Sequence, residues 1–125
     1  MTGYRALDEQ RAGALEALCE LIVPGSGRVG SVVYVDALLA GMPPGPREHA
    51  LEAIDELAPA AGSAEALAER ERSPAFALVR ALAIEAYYSD FVAPGRPGPG
   101  AWEEIDFNSP LALRLAKDWS DLGIA

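Results

Sequence analysis

Apolar side chains recur at three- and four-residue spacing along this chain, and clusters of proline and glycine divide that pattern into short segments. Such spacing places apolar residues on one face of a helix, and proline together with glycine ends a helix. We therefore expect one all-α domain over 1–125, a small bundle of about five helices. The expected helices cover 8–23, 31–39, 46–58, 63–72 and 74–88, and a short final helix covers 111–119.

The segment 75–88 is apolar on two faces, which is typical of a helix buried between neighbours. It is therefore the predicted central helix of the bundle. The chain contains 24 alanines, which favour helix but fill little volume. We expect closely approaching helices rather than a bulky core. The two apolar faces carry Phe76, Val79, Ala83 and Tyr87 on one side and Leu78 and Leu82 on the other.

Composition excludes several function classes. A single Cys, a single His and a single Lys argue against a Cys/His zinc site, an intramolecular disulfide and a Cys/His catalytic pair. The net charge of −9 repels nucleic acid and anionic lipid. The sequence shows no apolar run of bilayer length, no signal peptide and no twin-arginine pair. We expect no membrane insertion and a cytoplasmic location.

Candidate chemical motifs are few. The segment GSGRVG over 25–30 satisfies the G-x-G-x-x-G pattern of dinucleotide sites. The preceding residues end an amphipathic helix rather than a strand, so a helix-ending loop is the favoured interpretation. His49 is most simply a surface or interface residue, and Cys19 a small core residue. We therefore predict no catalytic, cofactor-binding or metal-binding residue in this chain.

Aromatic residues mark the segment 89–109, where prolines alternate with glycines. Disordered linkers are poor in aromatics, so this long segment is expected to pack on its own bundle or on a partner. Proline stiffening lowers the cost of ordering a loop on binding. Core packing remains an alternative for Tyr87 and Trp102. The candidate partner interface comprises Tyr87, Tyr88, Asp90, Phe91, Trp102 and Phe107.

Four short segments resemble the small-subunit family known as gluconate 2-dehydrogenase subunit 3. They are LIVPG at 21–25, VDALL at 35–39, EAYYSD at 85–90 and the closing stretch from Trp102 to Phe107. The resemblance implies a helical, non-catalytic companion of a large flavoprotein of the glucose-methanol-choline type. That partner would bind FAD and oxidise sugars, sugar acids or related alcohols. Ala86 and Asp106 depart from the family pattern, which tends to have glycine at both places.

The amino-acid sequence is also consistent with two other functions. A stand-alone small-molecule-binding or enzymatic domain would use the 25–30 loop and Asp90. A helical adaptor for an unrelated protein would use the same exposed aromatics as a flavoprotein subunit. Ligand-dependent stabilisation of the isolated chain would distinguish the first alternative, and the identity of a bound protein would distinguish the second.

Overall fold

The computed structural model describes residues 3–89, 91–96, 98, 100, 101 and 123. Within these residues the chain forms six α-helices, a single 3-10 turn over Ala58–Ala60 and no strand, which confirms the all-α prediction. None of these helices combines the length and the hydropathy needed to cross a bilayer. The predicted final helix over 111–119 lies outside the described residues. The helices are α1 (Glu9–Ile22), α2 (Ser26–Val29), α3 (Ser31–Ala40), α4 (Pro44–Leu57), α5 (Ala64–Ala68) and α6 (Pro74–Tyr88).

Side-chain caps fix where three of these helices begin. The side chain of Asp8 accepts a hydrogen bond from a backbone N–H in the first turn of α1, Ser63 does the same for α5 and Ser73 for α6. Each cap satisfies one of the N–H groups that a helix start leaves without a partner. Pro74 follows Ser73 at the first helical position, where a missing N–H costs nothing. The predicted starts of α5 and α6 are confirmed.

Two segments differ from their predictions. The 25–30 stretch, predicted to be a helix-ending loop, contains the single turn α2, bracketed by Gly25 at φ +94° and Gly30 at φ +73°. Glycine adopts these left-handed conformations without steric cost, so the chain can enter and leave one helical turn abruptly. Helix α5 ends at Ala68 rather than Arg72, because the chain then tightens into turns in which the N–H groups of Arg70, Glu71 and Ser73 donate to the carbonyls three residues earlier.

Helix α6 occupies the centre, as its two apolar faces predicted. It contacts α1, α2, α3 and α4, and its interface with α4 is the largest between any two helices of the described part. Its buried residues include Ala83 and Ala86, which are completely inaccessible to solvent. Such small side chains let neighbouring backbones approach closely. The largest fully buried side chains of the core are Phe91, Leu15, Leu18, Leu39, Ile54 and Leu57.

A buried carboxylate ties the N-terminal segment to α3. Asp36 is 4% exposed, and its oxygens accept hydrogen bonds from the backbone N–H groups of Arg5 at 3.0 Å, Ala6 at 2.8 Å and Leu7 at 2.9 Å. A buried carboxylate is tolerated only where such donors replace its hydration. The three bonds hold the segment before α1 against the bundle, where Leu7 joins the core.

Candidate functional site

The candidate interface residues are divided by the structure into buried and exposed positions. Tyr87 is 4% exposed and Phe91 is 0% exposed, whereas Tyr88 is 45% exposed. Among the residues that the structure describes, Tyr88 is the one large apolar side chain on the surface. Asp90, Trp102 and Phe107 lie outside the described residues. Of the three described candidates, Tyr88 alone exposes its ring at the surface.

Phe91 packs against its own chain. Its ring meets that of Tyr34 edge-on, with centroids 5.4 Å apart and planes at 62°. The hydroxyl of Tyr34 donates a hydrogen bond to the carboxylate of Glu85 at 3.0 Å, which links α3 to α6. Edge-to-face aromatic pairs add to the stabilisation that burial alone supplies. The start of the 89–109 segment is therefore part of this chain's core.

Residues 91–96 lie on the turn formed by 25–30, which we call the glycine turn. The N–H of Ala93 donates to the carbonyl of Val29 at 2.8 Å, and the guanidinium of Arg96 donates to the carbonyl of Gly27 at 3.2 Å. A Cβ placed on Gly30 would lie 2.6 Å from the Cβ of Ala93. Any other residue at position 30 would push the two segments apart, so glycine is required there by contact as well as by φ.

Glu20 occupies the position at the glycine turn that an anion would need. Its carboxylate accepts hydrogen bonds from the N–H of Gly25 at 2.6 Å and of Gly27 at 3.0 Å. A dinucleotide site requires such N–H groups to be free for a pyrophosphate and requires a strand before the turn. Here the donors are engaged and helix α1 precedes the turn. The G-x-G-x-x-G pattern therefore serves a structural turn.

Cys19 is buried beside the same turn and is 1% exposed. Burial, reinforced by the negative charges of Glu16 and Glu20, raises the pKa of its thiol to about 12. The thiolate is the reactive form of cysteine, so this side chain stays protonated and inert at neutral pH. The gap between Cys19 and the turn has no space for a water molecule, and within the described structure the buried hydroxyl of Ser26 makes no hydrogen bond.

The other polar side chains that the structure describes do not group into a catalytic or metal-binding arrangement. His49 is exposed on α4. Arg11 makes a two-pronged contact with Asp55, at 2.9 and 2.8 Å, which lowers the pKa of Asp55 and raises that of Arg11. Over the described ranges, no three His, Cys, Asp or Glu side chains are grouped as metal ligands would be.

Sequence reasoning missed two of the residues that organise this region. Asp36 is the single charge within the apolar helix SVVYVDALLA, and Glu20 stands five residues before the first glycine of the turn. A lone acid in an otherwise apolar helix, and an acid near a glycine-rich turn, are both signals of carboxylates that bind backbone N–H groups. Neither pattern is specific without the fold, because exposed acids occur at similar spacings.

No family model, curated protein or solved structure matches this chain. The resemblance to the small-subunit family therefore rests on the short sequence segments alone.

Proposed function

We propose that this chain is a small, non-catalytic subunit of an FAD-dependent oxidoreductase that acts on sugars, sugar acids or related alcohols. Its partner is a large flavoprotein of the glucose-methanol-choline type, which binds the FAD. The small subunit stabilises the large one or its flavin-loaded form. This function accounts for a well-packed core and, among the described residues, one exposed large apolar side chain, Tyr88, within a family-like segment.

The observation that carries the proposal is the convergence of three of those segments. The 21–25 segment leads into the glycine turn, and a Cβ on Gly25 would lie 3.9 Å from the hydroxyl of Tyr87 in the 85–90 segment. The 35–39 segment belongs to α3, whose Tyr34 packs on Phe91 directly after α6. The 21–25 and 85–90 segments thus lie close together, and the helix that contains 35–39 packs against the same end of α6.

Tyr88 is the residue through which this unit can bind a partner. Its ring stands edge-on to that of Tyr87, with centroids 5.1 Å apart, so a buried neighbour supports the exposed ring. Tyrosine is enriched among the residues that dominate binding energy at interfaces, since it offers a large apolar area and a hydroxyl. A supported ring also loses little freedom on binding.

Co-expression tests the proposal. The flavoprotein encoded next to this chain, or co-purified with it, is produced with and without the chain, and yield, bound flavin and dehydrogenase activity are measured. We expect all three to rise when the chain is present and the gain to shrink with Tyr88→Asp. His49→Ala, a change at an exposed position on α4, serves as the control and leaves the gain intact. Equal yield, flavin content and activity with and without the chain would refute the proposal.

The same experiment distinguishes the alternatives. An adaptor for an unrelated protein predicts stable co-purification of a chain without flavin. A stand-alone small-molecule domain predicts thermal stabilisation of the isolated chain by a nucleotide or sugar. The engagement of the glycine-turn donors by Glu20 does not favour this last function.

A further inference from the structure

A second surface feature lies at the opposite half of α6. A groove runs between the end of α1, helix α5 and the first turns of α6, and apolar side chains line it together with Glu71 and Arg80. Leu21, Ile22 and Phe76 are half-buried there, and Leu67 is 5% exposed at the base. Half-buried apolar side chains from three helices make a concave surface of the kind that accepts a helix from another protein.

Two arginines whose guanidinium groups have no partner in the described structure lie at this groove. The described part of the chain contains eight arginines. Five of them are engaged in hydrogen bonds or other polar contacts: Arg5, Arg11, Arg28, Arg47 and Arg96. The guanidinium groups of the other three are exposed and have no such contact in the described structure: Arg70, Arg72 and Arg80. Arg72 and Arg80 line the groove and its extension along α6.

Two of the three charged side chains that line the groove and its extension are arginines. Arg72 and Arg80 stand against Glu71, so the lining carries a net charge of +1 within a chain of net charge −9. A guanidinium presents a planar fork that matches a carboxylate. The groove is therefore complementary to an apolar segment flanked by acids.

We propose that this groove, called here the arginine groove, binds an acidic amphipathic helix of a partner protein. Its apolar face would cover Leu21, Ile22 and Phe76, and its carboxylates would pair with Arg72 and Arg80. The assignment of that helix to the large flavoprotein subunit rests on the proposed function. A second copy of this chain, which is itself acidic, is the competing occupant that the variants below distinguish.

Binding of two synthetic helical peptides to the full chain tests the groove without a known partner. Both carry leucines at i, i+3, i+4 and i+7, one with flanking glutamates and the other with flanking lysines. We expect fluorescence anisotropy to show binding of the glutamate peptide, weakened by added salt because charge pairs are screened. We expect no binding of the lysine peptide. Equal binding of the two peptides, or binding of neither, overturns the proposal.

Two double variants with the same change in net charge distinguish binding at the groove from a general effect of the protein's charge. Arg72→Gln with Arg80→Gln and Gln10→Glu with His49→Glu each change the net charge by −2, and all four positions are exposed. We expect the first pair to lower the affinity for the glutamate peptide roughly tenfold, and the second pair to change that affinity less than twofold. Circular dichroism confirms that both variants stay folded. Equal weakening by the two pairs, or a concentration-dependent dimer that the first pair abolishes, contradicts the proposal.

Co-purification with the flavoprotein then distinguishes this inference from the proposed function. Loss of the complex with Arg72→Gln and Arg80→Gln, but not with the control pair, supports both. Equal recovery of the flavoprotein with both pairs overturns the groove as its binding site and leaves the proposed function standing. Peptide binding as expected, with no flavoprotein bound to the wild-type chain, refutes the proposed function and retains the groove for another acidic helix.

Discussion

The two ends of α6 use aromatic residues in opposite ways. At the C-terminal end, Tyr87 and Phe91 are buried and packed on the rest of the chain. At the N-terminal end, Phe76 is half-buried in an open groove and Arg80 is exposed beside it. Phe76 lies in the first turn of α6, and Phe91 lies just beyond its last residue. The aromatic-rich end is mostly interior, with Tyr88 as its exposed member, whereas the groove formed from a less conspicuous set of residues.

The difference arises from the segments that flank the helix on each side. After Tyr88 the chain returns over the glycine turn, and the bond from Ala93 to Val29 holds it there. Before Pro74, the arginines in the turns over 69–72 form no ion pair within the described structure. One end is thus closed by its own backbone, and the other is left with apolar and cationic groups at the surface.

Replacing each of the two phenylalanines with alanine should give the largest difference in stability between the two ends of α6. Phe91→Ala empties a fully buried site and removes the contact with Tyr34, so we expect a loss of about 3–5 kcal/mol in the free energy of unfolding. Phe76→Ala removes a half-buried ring and should cost about 1–2 kcal/mol. Urea denaturation of the two variants measures both. Losses of equal size would show that the two ends are equally buried in solution.

Two glycine substitutions test the packing of residues 91–96 on the glycine turn at the C-terminal end of α6. Gly30→Ala forces a side chain into a left-handed conformation and against Ala93, so we expect a loss of about 2–3 kcal/mol. Gly13→Ala, in the exposed middle of α1 with nothing within 4 Å, is the control and should stabilise the protein by about 0.5–1 kcal/mol. Thermal unfolding midpoints give the sign of each change. A neutral Gly30→Ala would contradict the close packing of 91–96 on the turn.

The smallest expected effects on stability concern the arginine that forms an ion pair, Arg11, and the groove arginines that form none in the described structure. The pKa of Asp55 is lowered by Arg11, so their pair stabilises the fold above the unfolded pKa of about 3.9, and this stabilisation disappears as the pH falls through the lower folded value. Since both side chains are partly exposed, Asp55→Asn should cost less than about 1 kcal/mol at pH 7.

The same variant should match the wild type once Asp55 is protonated. Arg72→Gln and Arg80→Gln remove no ion pair in the described structure, so we expect little change in stability at either pH. Urea denaturation at neutral and acidic pH measures all three variants. A difference between Asp55→Asn and the wild type that grows toward low pH would contradict the assigned pair.

Much of the helical framework could be predicted, because its signals are local. The starts of α5 and α6 follow from Ser63 and from Ser73 with Pro74, and the central position of α6 follows from its two apolar faces. The turn α2 and the early end of α5 could not be predicted. Both depend on backbone hydrogen bonds whose geometry short polar and glycine-rich segments leave open.

The candidate site was less predictable than the helices. The sequence identified the aromatics near Tyr87 but did not distinguish the buried Phe91 from the exposed Tyr88, since this depends on how the chain returns after α6. In sequence, Arg70 and Arg72 alternate with glutamates and have the pattern of a solvated helix end. Only the packing of α1 and α5 beside α6 places Arg72 next to an apolar groove.

The sequence by itself determined the helical class, the central helix and the acidic charge, because periodicity, caps and composition act over a few residues or over the whole chain. The tertiary structure alone decided that Glu20 occupies the glycine turn, that Asp36 binds the N-terminal segment and that Arg72 and Arg80 lie at one groove. Those arrangements arise from contacts between segments distant in sequence, and no local pattern specifies which of many similar acids, glycines and arginines will meet.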